Sequence, residues 1–295
     1  MKDIYLRSYL KKFSEDNLLD QLPSDKQFEH FVNWCLVSKH YPELFDINDV
    51  AMGSGDDTGI DGLAILVNGR LVTSKDQVDD LHRTLRKISV EFIVIQSKTS
   101  SEFDGGDLGK FLSGVESFFA ETSDFPENEK IRQMRSLKEH ALDKHRDFEK
   151  APTCNLYYVT TGEWKNPAHL MGRINQTTKR LKSMQLFSDV LFEAVDGNNL
   201  RVIYGEITRQ TSRTINFPYH SIVPPVEGLP NTWIGILSCS EVLKLVTDSN
   251  GNLMRTVFYD NIRDYQGENP VNAEIGISLS SSSGQAFLPM LNNRI

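Results

Sequence analysis

The sequence predicts an α/β fold: a mixed sheet flanked by helices, running helix, strand, strand, strand, helix, strand (αβββαβ) through residue 161. Three observations predict it. Residues 91–97 (EFIVIQS) are apolar on both faces, the pattern of a central strand covered from two sides. Residues 60–67 end on Asn68-Gly69, a two-residue hairpin signal. Residues 25–41 carry Phe28, Phe31, Val32, Cys35 and Leu36 at helical spacing, a stripe that a helix would bury.

The elements follow in order. Residues 4–19 alternate apolar and charged residues as a surface helix does, and Ser24-Asp25 read as the N-cap of the next helix. Glu29 lies at the edge of that helix's apolar face. Residues 48–52 (NDVAM) read as a short strand, and GSGDDTG as a turn cluster. Ile60–Val67 and Arg70–Thr73 form the hairpin. Ser74 and Gln77 make a capping box for a helix running to about Ile88. Asp107–Ala120 is a helix with Leu108, Phe111, Leu112, Val115, Phe118 and Phe119 inward. The segment Gly105–Lys110 resembles a phosphate loop but is one residue short between its glycines, with Phe111 in the Ser/Thr place, so it reads as a turn and helix start. Residues 127–150 are densely charged, with a thin stripe of Ile131, Met134, Leu137 and Ala141, and read as a solvated helical insertion. A strand at 156–161, a helix at 168–184 and a strand at 189–195 complete this unit. From about residue 206 polar β-like segments dominate, with a helix from Ser240. This predicts two domains, 1–205 and a smaller α+β domain at 206–295.

Composition limits the function classes. Hydrophobic content of 39% and charged content of 24% support a packed core. The net charge of −8 excludes a generally basic nucleic-acid-binding surface, so binding to nucleic acid would need a local basic patch and a metal ion. The three cysteines, Cys35, Cys154 and Cys239, lie far apart and spell neither a disulfide framework nor a zinc knuckle. Cys35 reads as a buried structural thiol. The seven histidines show no metal-ligand spacing. The first residues lack the apolar core of a signal peptide, and no run reaches the roughly 18 apolar residues of a membrane span. The expectation is a cytoplasmic protein with no membrane partner.

The candidate chemistry lies in residues 59–98. Asp61 opens one strand; Gln96, Ser97 and Lys98 close another. Neighbouring strands lie about 4.8 Å apart, so these residues would share one site. Asp61 offers a carboxylate, Gln96 a side-chain carbonyl and Ser97 its backbone carbonyl: an all-oxygen set suited to Mg²⁺, with Mn²⁺ as a substitute. Lys98, on the same side of its strand as Gln96, would orient an attacking water or stabilise developing negative charge. Asp56 and Asp57 read as turn residues. The cluster Asn261, Arg263, Asp264, Asn269 and Asn272 reads either as a hydrogen-bonded scaffold or as a contact surface for a nucleotide or a neighbouring domain.

The pattern Asp61 … Gln96-Ser97-Lys98 resembles the PD-(D/E)xK nuclease superfamily, and the glutamine in place of an acid resembles its Mrr-like restriction endonuclease branch. Glu29 matches in position the helical glutamate that assists metal binding there. Residues 258–275 (FYDNIRDYQGENPVNAEI) are similar to the core motif of the abortive phage infection protein family (AIPR), and Leu291-Asn292-Asn293 resembles a following segment of that family. Arg294 stands where the family has Gly, and relatives continue beyond the position of Ile295, which fits a truncated product or a short variant. The resemblance implies a restriction-endonuclease-like domain over residues 1–205 and an AIPR-like domain after it. It implies Asp61, Gln96, Lys98 and Glu29 in catalysis, with Asp61, Gln96 and Ser97 on the metal. The expected activity is Mg²⁺-dependent hydrolysis of DNA in antiphage defence, with a homodimer and a phage or host protein as further partners. The alternatives are a catalytically silent nucleic-acid-binding or phage-sensing module, and an RNase using the same site.

Overall fold

The computed structural model describes residues 3–53, 55, 58–123, 125–208, 214–223 and 232–247. Asp56, Asp57 and the motif at 258–275, with its polar cluster, lie outside the described residues, as do residues 291–295.

The chain opens with α1 (Ile4–Asp16), α2 (Ser24–His40) and a single turn, α3 (Ile47–Val50). The hairpin β1 (Gly62–Val67) and β2 (Arg70–Val72) follows, then α4 (Lys75–Leu85), β3 (Val90–Lys98), α5 (Gly105–Phe119) and α6 (Glu129–Leu142). After these come β4 (Thr153–Thr160), α7 (Ala168–Ser183), β5 (Asp189–Val195) and α8 (Gly197–Thr208). The strands form one mixed five-stranded sheet in the order β2-β1-β3-β4-β5. β1 is antiparallel to β2 and β3, while β3, β4 and β5 run parallel.

Helices cover both faces. Phe92 and Val94 of β3 pack with Leu63 and Ile65 of β1 against α4, α5, α6 and α7. Ile93 and Ile95 pack with Ala64 and Leu66 against α1, α2, α3 and α8. The two-sided apolar pattern of β3 is therefore that of a central strand. The Asn68-Gly69 turn has φ of 53° and 73°, the left-handed pair that a two-residue hairpin requires. The Ser74–Gln77 capping box forms as expected.

Several expectations are corrected. Residues 48–52 are not a strand: the Asp46 side chain caps the Asn48 N–H, and Ile47 and Val50 bury together at i, i+3, closing a helical turn instead. Only Ala51 pairs with the sheet, by a single bridge to Gly62. Ser24 is the first residue of α2, and Pro23 stands at the cap position. α8 runs through residue 205 to Thr208, and its Tyr204 ring lies 5.2 Å from that of Phe31 on α2. Beyond it, β6 (Tyr219–Val223) and β7 (Thr232–Ile236) form an antiparallel pair, followed by α9 (Cys239–Val246) capped by Ser238.

The charged segment 127–150 is not a solvated insertion. Ile131, Met134, Leu137 and Ala141 of α6 belong to the main core. Its cations cap α5, whose last carbonyls lack helical partners. Arg135 donates to the carbonyls of Ser117, Phe118 and Ala120, and pairs with Glu127. Lys138, only 3% exposed, donates to the Phe118 carbonyl at 2.7 Å and lies 5.1 Å from the centre of its ring. Burial and the neighbouring Arg135 charge lower its pKa to about 8.

Replacing Arg135 by alanine strands the buried Glu127 carboxylate and removes donors from three carbonyls at once. The expected outcome is a loss of about 3 kcal/mol in urea-unfolding stability. A loss below about 0.5 kcal/mol, the level of an ordinary surface change, would show that α6 does not hold α5 in this way.

Candidate active site

The segment before β1 is shaped by left-handed backbone. Gly53, Gly55, Thr58 and Gly59 all have positive φ. The Asn128 amide, at the N-cap of α6, donates to the carbonyls of Met52 (2.9 Å) and Gly55 (3.0 Å). α5 presses on the other side: a Cβ on Gly114 would lie 1.9 Å from the Thr58 carbonyl oxygen, and one on Gly59 would lie 3.3 Å from the Phe111 nitrogen. The chain can therefore enter β1 along one path only, which delivers Asp61 to the end of β3.

There Asp61 is 6% exposed. Its N–H donates to the Ile95 carbonyl at 2.9 Å, extending the β1–β3 ladder by one step. Its carbonyl accepts from Met52 N–H at 3.0 Å and from the Asn33 amide at 3.2 Å. One carboxylate oxygen, Oδ2, receives the Ser97 N–H at 2.7 Å, the Gln96 Nε2 at 2.7 Å and the Ser97 hydroxyl at 3.2 Å. The aspartate and the Gln-Ser pair, 35 positions apart, thus meet directly. Gln96 turns its Nε2 toward Asp61, while its carbonyl oxygen lies beside Gly59. Lys98 is the last residue of β3, half-buried, and alternation places it on the Gln96 face.

Glu29 reaches this end of the sheet from α2. Its side chain is 19% exposed and pairs with Lys26 at 2.6 Å; the same ammonium donates to the Gly53 carbonyl at 3.1 Å. Burial and the charge of Asp61 raise the Glu29 pKa to about 7, against the opposing pull of Lys26. Two carboxylates whose charges repel and a serine hydroxyl lie at this end of the sheet, and the Gln96 side chain presents its nitrogen to Asp61.

Sequence reasoning missed two residues here. Asn33 supports Asp61 from behind, and a Cβ on Gly62 would lie 2.1 Å from its Oδ1. Lys26 is the partner of Glu29. Their signal was present: Lys26, Glu29 and Asn33 fall at i, i+3 and i+7, a polar stripe along a helix that buries its other side. Tyr158 was read only as a strand residue. It pairs in register with Gln96, and its hydroxyl is buried with no hydrogen-bond partner among the described residues. Burial first, then the charges of Asp107, Asp104 and Asp61, hold its pKa far above the usual value.

Comparison with protein-family models, with curated proteins and with solved structures finds no match to this chain.

The Glu29 carboxyl has a pH consequence. The folded chain keeps this proton up to about pH 7, whereas an ordinary carboxyl releases it near 4.5, so the fold binds the extra proton within that window. Stability in metal-free buffer should therefore fall as pH rises from 4.5 to 7, by at most about 3 kcal/mol. Glu29→Gln should flatten this part of the profile. Parallel thermal melts of the two proteins across the window check it, and superimposable profiles would refute the assignment.

Proposed function

We propose that this chain is a divalent-metal-dependent nuclease with a restriction-endonuclease-like core, hydrolysing phosphodiester bonds of DNA in antiphage defence. The observation that carries the reading is the direct meeting of Asp61 with Gln96 and Ser97 at the end of a central strand that closes on Lys98, with Glu29 close enough for the Asp61 charge to raise its pKa. The mixed five-stranded sheet flanked by helices supports the coarser part of this assignment. The resemblance of residues 258–275 to the abortive infection family supports the biological setting.

Asp61, Glu29 and Ser97 would hold Mg²⁺ or Mn²⁺, and Gln96 would join them through its carbonyl after a half-turn of the amide. Such an ion supplies a lowered water pKa and neutralises charge on the phosphoryl oxygens. Lys98 would donate a hydrogen bond from its ammonium to the oxygen of the attacking water or to the developing negative charge. The Ser97 N–H holds the Asp61 carboxylate, and the Asn33 amide holds its backbone carbonyl.

A second reading rests on one observation: three donors already converge on a single Asp61 oxygen, as they would in a silent module that binds nucleic acid or a phage component without cutting it. Titration with Mg²⁺ or Mn²⁺ separates the two, since a silent module would take up no ion at millimolar concentration.

Asp61→Asn and Lys98→Ala should each lower metal-dependent plasmid cleavage by about 10³-fold while melting as cooperatively as the wild type. Full cleavage by a well-folded Asp61→Asn protein would refute the mechanism. Side-by-side digestion of DNA and RNA identifies the substrate, and sedimentation with and without DNA shows whether two copies assemble to cut both strands.

A further inference from the structure

A cleft of about 580 Å³ runs between α5, the 58–59 segment and the loop after α5, with Arg173 of α7 at one side. Clefts of a few hundred Å³ are the size that holds small ligands. One wall is the face of α5 that carries Gly109, Lys110 and Ser113. The opposite rim carries Phe125, an aromatic ring that is 46% exposed and is presented by a turn in which the Ser123 hydroxyl bonds both the N–H and the carbonyl of Phe125. The floor reaches Gly59, where an added Cβ would lie 3.2 Å from the Gln96 side-chain oxygen. One residue thus separates the cleft from the candidate active site.

The charges of the cleft differ from those of the whole chain, which carries −8. Arg173 lies over Gly109, its Nη1 donating to the Gly105 carbonyl at 2.9 Å and standing 2.9 Å from where a Gly109 Cβ would be. Lys110 is 79% exposed, with Asp107 at 3.9 Å as its nearby counter-charge. The first N–H groups of α5 are not the anion site, because the Asp104 side chain already accepts from Gly106 and Asp107 N–H. An anion entering the cleft would meet the two side-chain cations instead. The Arg173 guanidinium covers Gly109, and the surface beside it at Phe125 is apolar, which suits a flat aromatic group.

We propose that this cleft seats one nucleotide of the substrate strand, with its base against the Phe125 ring and its phosphate on Lys110 and Arg173. The inference rests on the nuclease reading for its role and goes beyond it in naming where the strand beside the scissile bond lies. Base–aromatic stacking tolerates any base, so the subsite would hold the strand without reading its sequence.

The test measures binding apart from cleavage. In EDTA, a fluorescein-labelled single-stranded 12-mer is titrated by anisotropy, and 5′-dAMP and 5′-AMP by calorimetry. The proteins are wild type, Lys110→Ala, Ser113→Trp and Lys11→Ala. Lys110→Ala removes an exposed charge and should weaken 12-mer binding about tenfold and lower the dependence of log K on log[salt] by about one unit. Ser113→Trp, on an exposed position of α5, should block mononucleotide binding, while Lys11→Ala, which removes an exposed cation on α1 away from the cleft, should bind as wild type does. Wild-type affinity in both cleft variants, or no nucleotide binding by the wild type at millimolar concentration, overturns the inference. The two readings can fail separately. A wild type that cuts DNA while its cleft variants bind normally refutes the cleft and leaves the nuclease. Nucleotide binding lost in the cleft variants, from a wild type that never cuts with Mg²⁺ or Mn²⁺, supports the cleft and refutes the nuclease.

Discussion

The hydrogen bonds between the Asp61 carboxylate and the end of β3 are the constraint on which the site depends. A carboxylate that is 6% exposed must be satisfied in place, and here Ser97 and Gln96 satisfy it across two strands. The backbone of Asp61 is fixed as firmly, by Ile95, Met52 and Asn33. Moving β1 off β3 would leave a buried charge without donors, and moving α2 would take the Asn33 amide from the Asp61 carbonyl. That cost holds α2, β1 and β3 in one register at the end of the sheet where the candidate chemistry lies.

Close packing supplies the second constraint. The Thr58–Gly59 segment is held between α5 and Gln96, and α5 approaches it so closely at Gly114 that a methyl group would not fit. α5 is itself held at its C-terminal end by Arg135 and Lys138 of α6, and Asn128 at the start of α6 holds the turn at Met52–Gly55. The route from the charged helix to the candidate site is a chain of short contacts. The charge that looks like solvation along residues 127–150 does structural work in the middle of α6, and the uncharged Asn128 does so at its start.

How much of this was legible in the sequence follows from the range of each interaction. The hairpin at Asn68-Gly69, the capping box at Ser74–Gln77 and the apolar stripe of α5 are local signals, and each element formed. The central place of β3 followed from its two-sided apolar run. The adjacency of Asp61 to Gln96 was reachable because strand spacing limits the possibilities. What escaped depends on tertiary context. The polar texture of residues 48–52 did not reveal that Ile47 and Val50 would bury as a helical turn. No local pattern says that Arg135 and Lys138 will meet the carbonyls of a preceding helix, because that requires knowing where α5 ends in space. Glu29 was placed at the edge of an apolar face, but its raised pKa comes from Asp61, a neighbour 61 − 29 = 32 positions away.

The sheet topology also orders the events of folding. β1, β2 and β3 pair antiparallel across short connections, and the groups that fix Asp61 all lie between Asn33 and Ser97. β4 joins β3 in parallel only after the whole of α5 and α6 has been threaded between them, and β5 needs α7 in the same way. Loop closure over longer spans is slower, so the antiparallel unit and its aspartate clamp are complete in a smaller, earlier contact set than the parallel half. Every group that hydrogen-bonds Asp61 precedes β4 in the chain, whereas the β4 edge of β3 is covered only once residues 153–160 have been made. Until β4 arrives, β3 presents an unpaired edge of Phe92, Ile93, Val94 and Ile95, which makes the interval between these events the time at which the nascent chain is most exposed to aggregation.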